Sequence, residues 1–235
     1  MKIEKTEVFG WDAAIRGMRN PLESWQKSDS YWTHIENPET LNTAKFEFFM
    51  GENDLDLAQR LIKGGSEHRK FLRYIHVQCD VTAGLFWWKE YDTYKVGTTA
   101  NSTSTMHKLA SKPITIDCFE VDDFQNIEYP VDEQRDELKS DIDNDFVQMG
   151  LIPYLEYLRK QYVETKDKSY WKELVRWLPE SWLQTRTIDL NYEIIRNIIN
   201  QRTGHKLTEW KTFIDWCHTL PYAEELLFYE NKEQI

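Results

Sequence analysis

The stretch DLNYEIIRNIINQRTG, residues 189–204, carries the clearest structural signal in the chain. Its leucine and isoleucines recur at helical spacing, so the sequence predicts a helix that Asp189 caps and Gly204 ends. Asn191 and Arg202 fall within the apolar arc of this helix. At 1.5 Å per residue they lie about 16 Å apart along one face.

Arg202 is the residue of this helix that needs an explanation. An arginine on an apolar face must find a partner or stay in water, because an unpaired buried charge costs several kcal/mol. One interpretation is structural: Arg202 complements the helix dipole and pairs with one of the many acidic residues. The other is that it binds a ligand. Helix geometry leaves both open.

Further elements are predicted on both sides of this helix. Helices are expected at Leu55–Lys63, Leu85–Val96, Leu151–Thr165, Ser169–Leu178 and Thr208–Thr219, and a solvated acidic helix at Asp132–Asp145. Strands with period-two alternation are expected at Leu72–Val81 and Pro113–Phe119. Strands early and helices late indicate an α+β fold, a mixed or antiparallel sheet flanked by helices.

Two polar segments are compatible with ligand binding. Residues 98–107, rich in serine and threonine, favour a loop or helix entry. The cluster His68, Arg69 and Lys70 precedes the first predicted strand, where it is either solvated surface or a phosphate site. Glycine-rich nucleotide motifs, a nucleophile elbow and metal-ligand spacings are absent from the sequence, so no metal is expected.

Composition limits the partners. The 235 residues include 40 Asp and Glu against 29 Lys and Arg, a net charge of -11. This balance argues against nucleic acid or a membrane, which require clustered cations, but leaves room for a small phosphorylated ligand. Three dispersed cysteines and the lack of a signal peptide or membrane span predict a cytoplasmic protein.

The chain is rich in aromatic residues, with 10 Trp, 12 Tyr and 11 Phe. The simpler explanation is a core built from large rings. The alternative is a site that stacks flat ligands. Composition favours the core.

The residues Asn191, Asn197 and Arg202, the first of them twelve residues after Pro179, resemble the C-terminal signature of flavin-dependent thymidylate synthases. In that family the two asparagines contact FAD. The arginine binds dUMP at its uracil ring and is credited with promoting ionisation of a ring nitrogen. The resemblance therefore implies that Asn191 and Asn197 bind cofactor and that Arg202 is catalytic.

The family's central motif, Arg-His-Arg-x-x-Ser-x-Asn-Glu-Gln-Ser-x-Arg-Tyr, falls on residues 94–107, where Asn101 and Ser104 match. Most other motif positions carry different residues. The resemblance implies a set of cofactor-binding positions, namely His68, Lys70, Tyr94, Lys95, Val96 and Ser102. It also implies substrate-binding positions at Tyr91, Ser102, Thr103, Ser104, Thr105, Arg176 and Arg202.

The resemblance covers residues 55–220 and implies one domain over residues 1–235, assembled as a homotetramer. The implied reaction is reductive methylation of dUMP to dTMP with FAD, methylenetetrahydrofolate and NADPH. The rings of Trp87, Trp88 and Tyr91 would then serve flavin or folate.

Two alternatives stay open. The replacements at residues 94–96 and 102–103 favour a related flavin and folate enzyme that modifies another deoxypyrimidine, for example by hydroxymethylation. Met106 stands where the family has an arginine and favours a non-catalytic, nucleotide-binding relative.

Overall fold

The computed structural model describes residues 1–35, 45–121 and 146–229. In these ranges the strands are β1 Lys2–Phe9, β2 Tyr31–Ile35, β3 Lys45–Phe49, β4 His76–Gly84, β5 Thr99–Ser102 and β6 Leu183–Asn191. The α-helices are α1 Trp11–Arg19, α2 Glu52–Lys63, α3 Leu85–Tyr91, α4 Thr105–Lys108, α5 Ile152–Thr165, α6 Lys168–Arg176, α7 Tyr192–Arg202 and α8 Thr208–Cys217. The predicted acidic helix Asp132–Asp145 lies outside the described residues. None of the described helices is long and apolar enough to cross a bilayer.

Four strands form a sheet in the order β1-β4-β6-β5, and β2 and β3 form a separate antiparallel pair with Tyr31 opposite Phe49. Hydrogen bonds join Thr82 to Thr185 and, two residues back along β4, Asp80 to Thr187, so β4 and β6 run antiparallel. Together with the flanking helices, this arrangement confirms the predicted α+β class.

The chain divides into two compact units, each with its own buried residues. The first unit is Met1–Lys2, Val81–Thr93 and Asn101–Arg186; the second is Ile3–Asp80, Tyr94–Ala100 and Thr187–Ile235. The first unit buries a cluster of Leu109, Ile114, Phe119, Leu155, Leu158 and Leu174. The second buries residues that include Ile75, Val77, Cys79, Ile188, Leu190, Ile195 and Ile198. The single-domain organisation stays a prediction.

Strand β4 confirms the predicted alternation but not its predicted start. Val77, Cys79 and Val81 are buried, and the residues between them are partly exposed. Residues 69–74 form a 3₁₀-helix instead of strand, because Phe71 and Leu72 are adjacent and both buried, which a half-exposed strand does not allow.

The predicted strand Pro113–Phe119 is wrong. Its buried residues are Ile114 and Phe119, five apart, and residues 116–118 form a 3₁₀ turn. Only Phe119 pairs in a bridge, with Trp182.

The helix boundaries differ from the predictions where polar side chains decide them. Asp189 does not cap α7 but lies in β6, and Asn191 is the cap. Asp167 caps α6 by accepting a hydrogen bond from the amide of Ser169. The predicted helix over 85–96 ends at Tyr91 and continues as a 3₁₀ turn to Tyr94, and Gly97 follows with a positive φ of 77°.

Gly10 connects β1 to α1 and tolerates no side chain. Its φ is 98°, and a Cβ atom there would lie 1.9 Å from the carbonyl oxygen of Tyr74. Glycine is therefore required by both the backbone conformation and the space.

Arg196 holds the C-terminal segment of the described chain against α7. Its Nη1 donates to the carbonyls of Leu226 and Leu227 at 3.2 and 2.8 Å, and Nη2 donates to that of Tyr229 at 2.8 Å. Residues 223–227 thereby stay packed on the helix with Leu226 and Leu227 fully buried.

Asp54, which is 0% exposed, organises the start of α2. One carboxylate oxygen accepts from Arg19 Nε, and the other accepts from the hydroxyls of Ser28 and Ser30 and the amides of Asp29 and Ser30. Burial alone raises the pKa of Asp54, but the hydrogen bonds from Ser30, Ser28 and Arg19 outweigh it and the pKa is lowered.

We expect Asp54→Ala to lower the free energy of unfolding by about 3–5 kcal/mol, because it leaves the Arg19 charge buried without its partner. Chemical denaturation of the variant measures this loss. Asp56→Ala is the matched control, since Asp56 forms an exposed pair with Arg60 that contributes about 0.3–0.5 kcal/mol. Equal losses in the two variants would contradict the role of Asp54.

The contribution of Asp54 also depends on pH. Since its pKa is lower in the folded chain, the stabilisation is complete above the unfolded pKa, whose ordinary value is 3.8, and is lost as the pH falls through the folded pKa. The stability difference between wild type and Asp54→Ala should narrow in acid. A difference that stays constant down to about pH 2 would refute this linkage.

Candidate functional site

The transition from β6 to α7 fixes the first predicted site residue. Asn191 ends the strand with an extended backbone, and its Oδ1 accepts a hydrogen bond from the amide of Ile194 at 3.1 Å. The side chain is therefore an N-cap, as this residue type favours. Its Nδ2 lies beside Gly97, where a Cβ would approach it to 4.0 Å and Ile194 Cδ1 to 3.1 Å.

Arg202, in the last turn of α7, is held by aromatic rings and a phenol. Its Nε donates to the hydroxyl of Tyr94 at 2.8 Å. The guanidinium carbon lies 4.7 Å from the ring centroid of Trp210 and 5.5 Å from that of Tyr94. Its Nη1 also lies 3.1 Å from His205 Nε2. These contacts fix the guanidinium before any ligand binds.

A chain of hydrogen bonds connects Arg202 to Asn197. The Tyr94 hydroxyl donates to Gln201 Oε1 at 3.0 Å, and Gln201 Nε2 donates to Asn197 Oδ1 at 3.0 Å. The second unit thus brings together three predicted residues, Tyr94, Asn197 and Arg202. The 94–197 link depends on Gln201, which sequence analysis missed although it stands four residues after Asn197 on the same helix face.

His205 and Trp210 were also missed. Both contact Arg202 from the turn and helix that follow α7, and their rings lie 6.4 Å apart in an edge-to-face arrangement. The only sequence signal for them was proximity to Arg202 along the chain. A lone histidine and a tryptophan carry no spacing rule that would have identified them.

Tyr94 and its neighbours differ in accessibility. Tyr94 is only 8% exposed, so it acts on the site through its hydroxyl. Lys95 is exposed, and Val96 is 91% exposed at the tip of the turn. Among the residues 94–96 assigned to cofactor binding, only Lys95 and Val96 present their side chains to solvent.

His68 and Lys70 are exposed, and Lys70 pairs with Glu67 at 3.2 Å. The middle residue of the cluster behaves differently. Arg69 Nε lies 3.1 and 2.9 Å from the two carboxylate oxygens of Glu193 in the first turn of α7. Arg69 therefore braces the helix, and His68 and Lys70 remain accessible.

The hydroxyl-rich segment forms the short strand β5 and the helix α4, and its residues from Asn101 onward belong to the first unit. Ser102 ends β5, and Ser104 caps α4 by accepting from the amide of His107 at 3.0 Å. The backbone of Thr103 is fixed on both sides: its amide donates to Thr185 O at 2.9 Å, and its carbonyl accepts from Gln184 Nε2 at 3.1 Å. Ser102 and Thr103 are exposed, and Thr105 is partly exposed.

The aromatic residues proposed to stack on ligands are core residues. Trp87 and Trp88 are fully buried, and Tyr91 is 2% exposed. Tyr91 stacks on Trp87 at 5.3 Å and meets Trp88 edge-on. The three rings therefore pack in the core, and Arg186 lies over the ring of Trp88. Their assignment to flavin, folate or substrate stays a prediction.

Arg176 ends α6 on the surface. It forms an ion pair with Glu173, three residues earlier, and Glu173 also accepts from Trp177 Nε1 at 2.9 Å. An exposed pair of this kind contributes little to stability, because solvent and salt screen it.

Two of the three cysteines are buried. Burial raises the pKa of Cys79 to about 12, and burial likewise raises the pKa of Cys217, so both remain thiols. No group of three metal-ligating side chains comes together among the described residues.

No protein-family model and no curated protein matches the sequence. Solved structures do match. A flavin-dependent thymidylate synthase ThyX from Helicobacter pylori, complexed with FAD and dUMP, has a TM-score of 0.60 at 17% identity and covers 98% of this chain and 99% of its own. A second structure of ThyX from Helicobacter pylori, with FAD and dUMP, has a TM-score of 0.62 at 18% identity over 100% of both chains. The resemblance seen in the sequence is thus confirmed at the level of the fold.

The Tyr94 hydroxyl should make a measurable contribution to the site. We expect Tyr94→Phe to lower the free energy of unfolding by about 1–3 kcal/mol, because Arg202 Nε and Gln201 Oε1 lose their shared partner. Tyr157→Phe is the control, since Tyr157 is exposed, and should change stability by less than about 0.5 kcal/mol. Thermal or denaturant unfolding compares them, and equal stability of the two variants would contradict the hydrogen-bond chain.

Proposed function

We propose that this chain is a flavin-dependent thymidylate synthase-like enzyme that binds FAD and methylates dUMP to dTMP. The observation that carries the proposal is Arg202, fixed by Tyr94 and Trp210 and connected to Asn197 through Gln201. Asn191, Asn197 and Arg202 resemble the family signature in type and spacing. They do so on a fold that proteins crystallised with FAD and dUMP share over their full length.

The donor set of the second unit suits a flavin. The polar edge of a flavin ring alternates N–H and C=O groups, and an amide side chain offers both a donor and an acceptor. Asn197 is exposed, and Asn191 retains its Nδ2 donor beside Gly97 while its oxygen caps α7. His68, Lys70, Lys95 and Val96 are accessible residues of the same unit that we include in the cofactor site.

Arg202 is the proposed catalytic residue. Its fixed guanidinium would hold the negative charge that develops on the uracil ring, and a donor that is already oriented does this without reorganisation. The bound flavin, when reduced, supplies hydride, methylenetetrahydrofolate supplies the carbon and NADPH the electrons. Ser102, Thr103, Ser104, Thr105 and Arg176 are the proposed substrate contacts in the first unit. The homotetramer and a cytoplasmic location belong to the same proposal.

One observation favours a second function, the modification of another deoxypyrimidine nucleotide. Tyr94 stands where the family has an arginine, and its hydroxyl is occupied by Arg202 and Gln201. It therefore does not replace the missing cation, and the ligand set differs at this position. Incubation with dUMP and dCMP side by side, followed by product analysis, separates the two functions. Methylated dUMP as the sole product would eliminate the second.

The first test of the proposal is the absorbance spectrum of purified protein. A flavin band in the visible region, present as purified or after reconstitution with FAD, is expected. Protein that stays colourless after reconstitution would refute the proposal. Flavin and dUMP binding without NADPH-dependent turnover would instead identify a non-catalytic relative.

We expect Arg202→Ala to reduce nucleotide-dependent flavin reoxidation by at least about 100-fold, the usual loss for one oriented donor at a developing charge. Arg202→Lys should also fail, because lysine keeps the charge but not the planar donor pair. Stopped-flow absorbance measures the rate. The matched control is Arg60→Ala, an exposed arginine of the same unit, which should react like wild type. Unchanged reoxidation in Arg202→Ala would exclude the assigned role.

A further inference from the structure

Arg186 occupies a position that favours an apolar residue. Side chains on a strand alternate, so Arg186 and Gln184 share a face of β6 with the buried residues Ile188 and Leu190. The Arg186 side chain is only 15% exposed. Burying a guanidinium costs several kcal/mol unless its partners offset the desolvation.

Three neighbours in the first unit hold Arg186. Its Nε donates to Gln184 Oε1 at 2.9 Å, and its Nη1 donates to Asp92 Oδ1 at 2.8 Å. The guanidinium carbon lies 4.2 Å above the ring of Trp88, which fixes the plane of the group. Arg186 is therefore oriented in advance.

One edge of this guanidinium is open. Its Nη2 donates to no residue within the described ranges, and it is not among the buried polar atoms that lack a partner. The atom is thus reached by solvent. A fixed cation with one exposed pair of N–H donors is suited to an anionic oxygen.

A polar segment is tied to the strand that carries Arg186. Gln184, which accepts from Arg186, also donates to the carbonyl of Thr103 at 3.1 Å. The amide of Thr103 is in turn bonded to Thr185 at 2.9 Å. Ser102 and Thr103 are exposed, and the backbone of Thr103 is thereby tied to the two residues that precede Arg186 on β6.

The other described arginines of the first unit lack this combination. Arg159 binds both oxygens of Glu156 at 2.7 Å and also donates to Ala110 O at 3.3 Å, so its donors are used. Arg176 is exposed and paired with Glu173. Arg186 is fixed and still has an open edge.

We propose that Arg186 binds the phosphate ester of a nucleotide ligand, assisted by the hydroxyls of Ser102 and Thr103, with Asp92 as its counter-ion in the absence of ligand. This inference rests on the proposed function, because the phosphate is that of dUMP or of the dinucleotide FAD. It gives phosphate binding to Arg186, whereas the family resemblance implies a substrate-binding role for Arg176.

The test compares ligands that differ only in phosphate. Dissociation constants are measured for dUMP and deoxyuridine, and for FAD and riboflavin, with wild type, Arg186→Gln, Arg186→Lys, Asp92→Asn and Arg176→Gln. Lys172→Gln, which removes one exposed cation of the same unit, controls for net charge. Circular dichroism verifies folding of each variant.

Arg186→Gln should weaken the affinity for one phosphorylated ligand, dUMP or FAD, by about 10- to 150-fold. The affinity for the matching phosphate-free compound, deoxyuridine or riboflavin, should not change. The affected pair identifies the source of the phosphate. Arg186→Lys should lower the affinity for that ligand less than Arg186→Gln does. Asp92→Asn should raise the affinity, because the competing carboxylate is gone and an amide oxygen still accepts from Nη1.

Three results would overturn the inference. The first is an unchanged affinity of Arg186→Gln for both phosphorylated ligands. The second is a loss of affinity that occurs only in Arg176→Gln. The third is an affinity of Asp92→Asn as low as that of Arg186→Gln, which would mean that the Arg186–Asp92 pair is structural. If Arg186→Gln does not fold, Arg186→Lys and Asp92→Asn decide by their opposite expected directions.

Failure of the proposed function gives a different pattern. Wild-type protein that binds neither nucleotide nor flavin refutes the function. Inorganic pyrophosphate then probes Arg186 alone: binding that is lost in Arg186→Gln supports the anion site, and equal binding by both proteins refutes it.

Discussion

The hydrogen bond from the amide of Ile194 to Asn191 Oδ1 fixes where strand β6 becomes helix α7. The amide of Tyr192 donates to the carbonyl of Ile75 at 3.0 Å, so the first helical residue is also tied to the segment that enters β4. Each residue of an α-helix advances the direction of its side chain by about 100°. If the cap stood one residue away, the side chains of α7 would point in other directions. Arg196 would then no longer reach the C-terminal segment, and Arg202 would no longer reach Tyr94. The architecture of the second unit and the geometry of its candidate site both follow from this point.

Buried and half-buried arginines show how an acidic chain, with a net charge of -11, places cations selectively. Arg19 pairs with a buried carboxylate, and Arg196 donates to backbone carbonyls, so both guanidinium groups have their partners within the fold. Arg202 and Arg186 rest on tryptophan rings. A ring face stabilises a guanidinium while leaving its edge available for hydrogen bonds. This difference separates the arginines that build the structure from those to which we assign a ligand-binding role.

The aromatic residues divide in the same way. Trp87, Trp88 and Tyr91 cover one another and form core, which composition had favoured from the outset. Trp210 is also fully buried, but one face of it supports Arg202, and Tyr94 contributes its hydroxyl. Trp88 of α3 supports Arg186 in the same way, so part of the aromatic surplus orients charged groups.

The sequence by itself determined the α+β class, the alternation of Val77, Cys79 and Val81, and the helix that carries Asn197 and Arg202. These features depend on spacing between near neighbours, which a strand or helix converts directly into a common face. The sequence-based predictions of a strand over 113–119 and of the cap of α7 were wrong. At both places the sequence allows more than one local structure, and packing selected the observed one. Only the tertiary structure decided that Arg202 meets Tyr94, 108 residues away, and that Arg186 meets Asp92, 94 residues away. Such pairings depend on how strands and helices assemble in three dimensions, and no local pattern in the chain encodes them.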